Sequence, residues 1–297
     1  MLSLAKRIAS IPGEFVLGHE LSKSVISEVF LCTFNNLNAV IKLDSLCAAR
    51  LAIDRQNEFM LLKHIQHLEI APKALYADST NGISIWKYVQ GKEAIFHPPD
   101  TNQSIRSLGK SLSAIHSIAI PEHSADIFSN SMSLYHDLLE HTPDAHLSKK
   151  AFNLYHELLK DDVSKVLSHN DLHKKNILWN DAFYFLDWEY SGMNHPCFDI
   201  ASLVRNFQLS EIEVHELSFG YSLDKTLFDQ EKLNKWIEFI GYLDEVWELC
   251  ILKLSSKYLE AILKVSFARS AKKTIWGTQA RPDTAGHGRT RPDTAGH

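Results

Sequence analysis

The sequence predicts an α+β fold of two lobes, in which a small lobe with an antiparallel sheet and one helix precedes a larger, mostly helical lobe. Three observations indicate this fold: strand-like runs in the first third, helical apolar spacing after Gly91, and a globular composition. Of the 297 residues, 45% are hydrophobic and 23% are charged, which excludes a wholly disordered chain. We expect one lobe at residues 1–88, the other at 89–275 and a disordered tail at 276–297.

The first lobe is predicted from apolar runs and the connectors between them. A polar, Asn-rich connector at residues 35–38 is typical of a hairpin turn. Ser45 is a suitable N-cap for a helix that extends to about His67, with apolar residues along one face. Five largely apolar runs predict the strands: Glu14–Leu21, Val25–Phe34, Ala39–Asp44, Lys73–Ala77 and Ile83–Val89.

The second lobe is predicted mainly from helical spacing. A helix opens at Asp100, and short strand-like pieces alternate with polar loops from Val166 to Asp187. The polar heptapeptide RPDTAGH occurs twice near the C-terminus; because such a unit cannot build a core, we expect this tail to be disordered. Further helical segments are predicted at Leu134–Glu140, Lys149–Leu159 and Phe198–Lys273.

Charge and cysteine content exclude several classes of function. The formal net charge is −5, so the chain has no field that would gather nucleic acid or an anionic membrane surface. No apolar run approaches the ~18 residues of a membrane-spanning helix. The four cysteines are far apart and form no CxxC pair, so neither a zinc knuckle nor a disulfide framework is indicated. We expect a cytoplasmic protein with a small-molecule partner, and its oligomeric state stays open.

The segment Leu167–Ala201 carries a pattern suited to phosphoryl transfer. Asn176 lies five residues after Asp171, and Asp187 lies sixteen residues after it. The reaction needs a carboxylate that accepts the proton of the attacking hydroxyl, and oxygen ligands that hold Mg²⁺ on the phosphates. The spacing from Asp171 to Asn176 equals that of the protein-kinase catalytic loop. We therefore predict Asp171 as the catalytic base, and Asn176 and Asp187 as magnesium ligands.

Three motifs in this segment, HNDLHKKN, FLDWEYSG and FDIA, resemble the choline kinase and aminoglycoside phosphotransferase superfamily. The resemblance is strongest to its choline/ethanolamine kinase and thiamine kinase branch, and it implies a protein-kinase-like fold. It is close over about 35 residues and extends in element order over residues 14–275. It implies that Glu189 assists the metal, and that Asp199 acts with His169 as a structural brace of the catalytic loop.

An ATP site is predicted in the first lobe. Lys42 lies in an apolar strand, which would fix a cation near the phosphates, and Glu58 on the following helix is its expected ion-pair partner. The phosphate-covering turn, Leu21–Glu28, contains no glycine, so serine donors such as Ser24 would replace it. A hinge follows at residues 86–89. The residues expected to bind ATP are Lys42, Glu58, Ser24, Trp86 and Tyr88.

The resemblance also implies an acceptor pocket. Choline kinases hold a quaternary ammonium with aromatic rings and acidic groups, and a cation over a Tyr or Trp ring gains about 0.5–2 kcal/mol. Tyr190 occupies an aromatic position of the family, and Trp247 on a late helix is a candidate for a second. Asn206 stands where the family has an acidic residue. Choline, ethanolamine and thiamine therefore all stay open as acceptors.

The sequence as a whole predicts an ATP-dependent kinase that phosphorylates a small alcohol. One alternative is an aminoglycoside phosphotransferase, which an acidic acceptor pocket would favour. A second alternative is a nucleotide-binding pseudokinase, which only the glycine-free turn favours. A protein kinase is disfavoured, because no DFG and no APE motif is present.

Overall fold

The chain divides into two compact units, residues 1–255 and residues 256–297. The elements below lie in the first unit, except that the last helix continues into the second. The repeated heptapeptide lies outside the described residues, so its disorder stays a prediction. The lobe boundary after residue 88 also stays a prediction. The computed structural model describes residues 4–51, 53–94, 101–119 and 127–276.

The five predicted strands form one antiparallel sheet: β1 (Phe15–Lys23), β2 (Ser27–Phe34), β3 (Leu37–Asp44), β4 (Ala74–Asp78) and β5 (Ile83–Lys87). Their spatial order is β1-β2-β3-β5-β4. Asn35 and Asn36 adopt left-handed conformations, with φ of 48° and 63°, which suits a two-residue hairpin turn. The central strand β3 is buried on both faces from residue 39 to residue 44, and this burial brings Lys42 into the interior.

The predicted helix of the first lobe begins later than expected, and a short helix that was not predicted precedes the sheet. After the short helix α1 (Leu4–Ala9), α2 spans Arg55–Ile65, and Asp54 caps it by accepting two backbone N–H groups of its first turn. The prediction of Ser45 as the N-cap was wrong. Its hydroxyl instead accepts the N–H of Cys47 at 3.0 Å and opens a turn that leads into a short 3₁₀ helix.

Six helices and two small sheets form the rest of the described chain. The predicted helical stretch after residue 198 is divided into three helices, because Gln208 and Ser222 adopt left-handed conformations that end a helix. The short strands are β6 (Lys92–Glu93), β7 (Val166–Ser168), β8 (Ile177–Trp179), β9 (Phe183–Phe185) and β10 (Gly192–Asn194). The helices are α3 (Thr101–His116), α4 (Ile127–Leu139), α5 (Ala145–Leu158), α6 (Cys197–Phe207), α7 (Glu211–Tyr221) and α8 (Gln230–Trp276).

The short strands support one polar loop. β6, β8 and β9 pair in one sheet, and β7 pairs with β10 in the other. The chain from β7 to β8 therefore crosses between the two sheets, and this crossing contains the HNDLHKKN motif. In the described ranges, no helix has the length and apolar character needed to cross a bilayer.

Helices α3 and α7 cross in backbone contact at two glycines. A Cβ atom on Gly220 would overlap the carbonyl oxygen of Arg106 and lie 2.8 Å from its carbonyl carbon. A Cβ atom on Gly109 would likewise overlap the carbonyl oxygen of Leu217. Both obstacles are backbone atoms, so a larger side chain can be accommodated only if the two helices move apart.

We expect Gly220→Ala to lower the free energy of unfolding by about 1–3 kcal/mol, the usual cost of overpacking a core contact. Urea unfolding followed by circular dichroism measures this difference. Gly241→Ala is the matched control, since a Cβ there meets nothing within 4 Å and alanine favours a helix by up to ~1 kcal/mol. Equal stability of the Gly220→Ala variant and the parent protein would contradict the close helix contact.

Candidate active site

The backbone of the loop after β7 is held by a buried carboxylate. Asp199, in the first turn of α6, accepts the N–H of His169 at 2.7 Å and the N–H of Asn170 at 2.9 Å. His116 at the end of α3 places its Nε2 at 3.2 Å from Asp199, and its Nδ1 lies 2.8 Å from the hydroxyl of Tyr221. A buried chain of polar groups thus links α3 and α7 to this loop.

The side chain of His169 joins the loop to the strand that leads into Asp187. Its Nε2 lies 2.8 Å from the carbonyl oxygen of Leu186. Because a carbonyl oxygen only accepts, Nε2 must carry the proton. Burial lowers the pKa of His169, which favours this neutral form. The contacts of His169 are therefore structural: its side chain bonds the backbone of Leu186, and its own backbone N–H bonds Asp199.

Asp171 and Asn176 lie together on this loop and face a cavity. The side-chain amide of Asn176 donates to the Asp171 carboxylate at 2.8 Å and to the Asp171 carbonyl at 3.0 Å. About a third of the Asp171 side chain is exposed (33%). Burial, with the charges of Asp187 and Glu189, raises its pKa well above the usual range. Asp171 is therefore a carboxylate that gains a proton readily.

Lys42 makes two ion pairs, and neither is with its predicted partner. Its Nζ lies 2.6 Å from Asp187 and 2.5 Å from Glu189, while Glu58 instead pairs with Arg55 at 2.7 Å. The predicted direct pair between Lys42 and Glu58 was wrong, because the guanidinium of Arg55 satisfies the Glu58 carboxylate. Burial opposes the charge on Lys42, but Asp187 and Glu189 outweigh it and raise the pKa of Lys42.

Arg55 connects three acidic side chains in the interior. It is 1% exposed, and its guanidinium lies 2.6 Å from Asp44, 2.7 Å from Glu58 and 2.7 Å from Glu189. Two of these partners are in the first lobe and the third follows β9. We call the whole set the buried ion cluster; its members are Lys42, Asp44, Arg55, Glu58, Asp187 and Glu189.

The oxygen atoms beside this cluster fit a magnesium ion. Both hydrogen bonds of the Asn176 side chain use its amide nitrogen, which leaves Oδ1 as the atom that can bind a cation. Burial opposes ionisation of Asp187, but Lys42 and Arg55 prevail and hold its pKa below the usual range. Glu189 is 6% exposed and its Oε2 pairs with both cations, whereas Asp187 is 32% exposed and, among the described residues, pairs only with Lys42. Asn176 and Asp187 are therefore the better candidate ligands.

The charge balance of the site also suits a divalent cation. When all its members are ionised, the buried ion cluster has four carboxylates and two cations. In the described part of the chain, no three His, Cys, Asp or Glu side chains converge on one point as a metal cage would require. A cation here would therefore be coordinated by few protein side chains, and the substrate phosphates would supply other ligands. Mg²⁺ usually binds in this way.

On its first-lobe side, the cavity is bordered by the glycine-free turn and the predicted hinge. The cavity has a volume of about 1000 Å³, and Ser24, Trp86 and Tyr88 all line it. The Ser24 hydroxyl accepts the N–H of Ile26 at 3.1 Å and of Ser27 at 3.0 Å. Ser24 therefore shapes the turn from within, and these two amides are already satisfied.

On the opposite side, the cavity is lined by aromatic and acidic residues. Trp247 and Tyr190 contact each other, with the indole Nε1 3.4 Å from the phenol oxygen. Burial raises the pKa of Tyr190, so this phenol stays neutral. The side-chain amide of Asn206 donates to the carbonyl of Leu172 at 2.8 Å, directly after Asp171 in the chain. Two carboxylates also line this side: Asp244 and Glu248.

Sequence reasoning did not identify Asp44, Arg55, His116 or Tyr221. One signal was available: strand residues two apart share a face, which puts Asp44 on the same side of β3 as Lys42. Nothing in the local pattern around Arg55 separates it from an exposed arginine at a helix start. The partners of His116 and Tyr221 are distant in sequence, so their roles emerge only from the fold.

Comparison with known proteins gives a family match over most of the chain. A family model described as the phosphotransferase enzyme family matches residues 19–236. Protein LicA from Haemophilus influenzae is 50% identical over 44 residues, which is 14% of this chain and 16% of LicA. Ethanolamine kinase 1 from Homo sapiens is 35% identical over 89 residues, 28% of this chain and 19% of that protein. The chain thus matches less than a fifth of the length of these two relatives.

Solved structures agree with the predicted fold. The crystal structure of choline kinase LicA from Streptococcus pneumoniae has a TM-score of 0.66 and 19% identity, covering 89% of this chain and 97% of that one. The streptomycin–ATP–APH(2″)-IIa ternary complex has a TM-score of 0.51 and 16% identity, covering 86% of this chain and 99% of that one. The predicted protein-kinase-like fold, with a sheet lobe and a helical lobe, is confirmed.

Proposed function

The chain belongs to the phosphotransferase enzyme family, and we propose that it transfers the γ-phosphoryl group of ATP to the hydroxyl of a small amino alcohol, of the choline or ethanolamine type. One observation carries this proposal. The half-buried Asp171 carboxylate lies in the same cavity as the Tyr190–Trp247 pair, so a proton acceptor and a surface for a cationic group border one space. The cavity volume of about 1000 Å³ suffices for a nucleotide and a small acceptor together.

ATP would occupy the first-lobe side of the cavity. Trp86 and Tyr88 border the space for the adenine, and Lys42 is the buried cation nearest the candidate metal ligands. The ATP present in the ternary complex of the structural relative supports a nucleotide here. Mg²⁺ held by Asn176 and Asp187 would, when bound, offset the phosphate charge as a Lewis acid.

The proposed transfer uses Asp171 as a proton acceptor. The acceptor oxygen forms a bond to the γ-phosphorus while the bond from that phosphorus to the β,γ-bridging oxygen breaks, and ADP leaves with the electron pair. The hydroxyl proton passes to the Asp171 carboxylate. The raised pKa of Asp171 suits this step, since a carboxylate that holds a proton more firmly is a stronger base. Asn176 keeps the carboxylate in place through its 2.8 Å hydrogen bond.

The aromatic pair favours an acceptor with a cationic amine. A cation over a Tyr or Trp ring is stabilised by about 0.5–2 kcal/mol, and the carboxylates of Asp244 and Glu248 line the same side. Asn206 contributes no charge, and its amide is engaged with Leu172. Because Asp244 already pairs with Arg205 at 2.5 Å, the attraction for a cation rests on the rings and chiefly on Glu248.

An ATP-consumption screen tests the proposal. The full chain with Mg²⁺ is assayed against choline, ethanolamine, thiamine, sugars and aminoglycosides. Turnover with choline or ethanolamine supports the proposal, whereas turnover confined to aminoglycosides would identify the alternative activity. ATP binding without turnover of any acceptor would favour a pseudokinase and would count against the proposal.

We expect Trp247→Ala to raise the KM for the acceptor by about 2- to 30-fold, the equivalent of ~0.5–2 kcal/mol. The KM for ATP should stay within twofold, because Trp247 lies on the acceptor side of the cavity. Trp179→Ala is the control, since that tryptophan is 40% exposed and does not line the cavity. An equal rise in both KM values would contradict the assignment of this side to the acceptor.

A further inference from the structure

The cavity contains an ammonium group that the ion pairs of the site do not use. Three lysines line it: Lys23, Lys42 and Lys175. Lys23 pairs with Glu28, and Lys42 is held by Asp187 and Glu189. Among the ion pairs between described residues, none involves Lys175. Its ammonium is therefore available to an anion that enters the cavity.

Lys175 is exposed, so water hydrates its ammonium when no anion is bound, although carboxylates outnumber ammonium groups in the cavity lining. Yet none of the carboxylates described comes within the 4.0 Å of an ion pair with Lys175. The carboxylates that line the cavity are Glu93, Asp171, Asp187, Glu189, Asp244 and Glu248.

The local backbone fixes the point from which the side chain of Lys175 begins. It lies in the 3₁₀ turn Lys174–Asn176, and its own N–H donates to Nδ1 of His173 at 3.2 Å. This bond fixes the turn directly before Asn176, a candidate metal ligand. The side chain of Lys175 therefore starts from a fixed point beside the space assigned to the metal and the phosphates.

We propose that Lys175 binds the terminal phosphates of ATP and stabilises the γ-phosphoryl group during transfer, an inference that rests on the proposed function. A nucleoside triphosphate carries more negative charge than one Mg²⁺ can neutralise. The glycine-free turn has little left to offer, since Ser24 already uses the amides of Ile26 and Ser27. Lys175, on the catalytic loop, supplies the missing positive charge.

The role of Lys175 in the transfer is electrostatic. As the bond to the bridging oxygen breaks and the bond to the acceptor oxygen forms, negative charge is spread over the three peripheral oxygens of the phosphoryl group. Lys175 keeps its proton throughout and faces that charge, while the proton of the acceptor hydroxyl goes to Asp171. A fixed cation at the position of developing charge lowers the barrier more than it strengthens ground-state binding.

The test compares the affinities of the full chain for ATP and AMP by calorimetry, with and without Mg²⁺. For K175Q we expect ATP binding about tenfold weaker, the effect of losing one charged hydrogen bond, while AMP binding stays within twofold. The kcat of K175Q should fall by about 10- to 100-fold. K175R keeps the charge and should recover most of the ATP affinity.

K174Q is the matched control. Lys174 and Lys175 are both exposed, but the ammonium of Lys174 lies 5.9 Å from the ring of Phe207, and Lys174 does not line the cavity. We expect K174Q to leave both affinities and kcat within twofold of the parent protein. An equal loss of ATP affinity in K174Q and K175Q would overturn the proposal, because it would reflect the general field of the loop.

The outcomes separate this inference from the proposed function. If the parent protein phosphorylates its acceptor and K175Q matches it in ATP affinity and kcat, the role of Lys175 is overturned and the proposed function stands. If no acceptor is phosphorylated but only K175Q loses preference for ATP over AMP, the phosphate contact stands and the proposed function fails. A parent protein that binds ATP no better than AMP would overturn the phosphate contact.

Discussion

Asp171→Ala is expected to lower kcat by about 10²–10⁴-fold, the contribution of a positioned general base. The affinity for ATP should change by less than about threefold, because the carboxylate acts on the proton of the acceptor hydroxyl. Steady-state kinetics with the acceptor identified by the screen, together with calorimetric ATP binding, measure the two effects. Turnover within a few-fold of the parent protein would contradict the role of Asp171.

Two further variants make this test specific. Asp171→Asn keeps an oxygen that can accept the hydrogen bond of Asn176 but removes the basic carboxylate, so its kcat should fall as far as that of Asp171→Ala. Asp162→Ala removes an exposed carboxylate that does not line the cavity and should leave kcat within twofold. If Asp171→Asn kept most of the activity, the side chain would be acting through position and not as a base.

Arg55→Met is expected to lower the free energy of unfolding by about 3–5 kcal/mol, the cost of removing one partner from a buried ion pair. Methionine fills much of the space, but it leaves the carboxylates of Asp44, Glu58 and Glu189 without the guanidinium that separates them. Chemical denaturation of the full chain without nucleotide measures the loss. A loss below ~1 kcal/mol would mean that these carboxylates are neutral or hydrated.

The control for this change is Arg50→Met. Arg50 is exposed, and surface substitutions usually change stability by less than about 0.5 kcal/mol. Arg55→Lys adds a second comparison, because it retains the charge but replaces a planar fork with a single ammonium. Since Arg55 contacts carboxylates on separate elements, we expect lysine to recover only part of the lost stability.

Local sequence pattern predicted the strands well and the start of α2 badly. An alternating or continuous apolar run predicts a strand without knowledge of the strand it pairs with. The five strands of the first sheet therefore lie where they were expected, within a few residues. Ser45 and Asp54 are both good N-caps by their chemistry. The choice depended on burial, because Ala48 and Leu51 are fully buried and hold the intervening segment in a short turn.

In the candidate site, too, sequence predicted the local contacts and missed the long-range ones. Asp171 and Asn176 lie on one loop and contact each other, so their spacing was enough to predict that they act together. Lys42 meets Glu189 across 147 positions of sequence, and no local pattern indicates that this glutamate, and not Glu58, is its partner. Long-range ion pairs depend on which charged groups the fold buries together, and that information is absent from residue spacing.

The backbone contact between α3 and α7 has a consequence for how this protein can change over evolutionary time. His116 and Tyr221 end these two helices and hold Asp199, which in turn fixes the loop that bears Asp171. A mutation that widens the helix crossing therefore alters the alignment of the base as well as the stability of the fold. Selection for turnover should thus act on Gly109 and Gly220, although neither glycine lines the cavity.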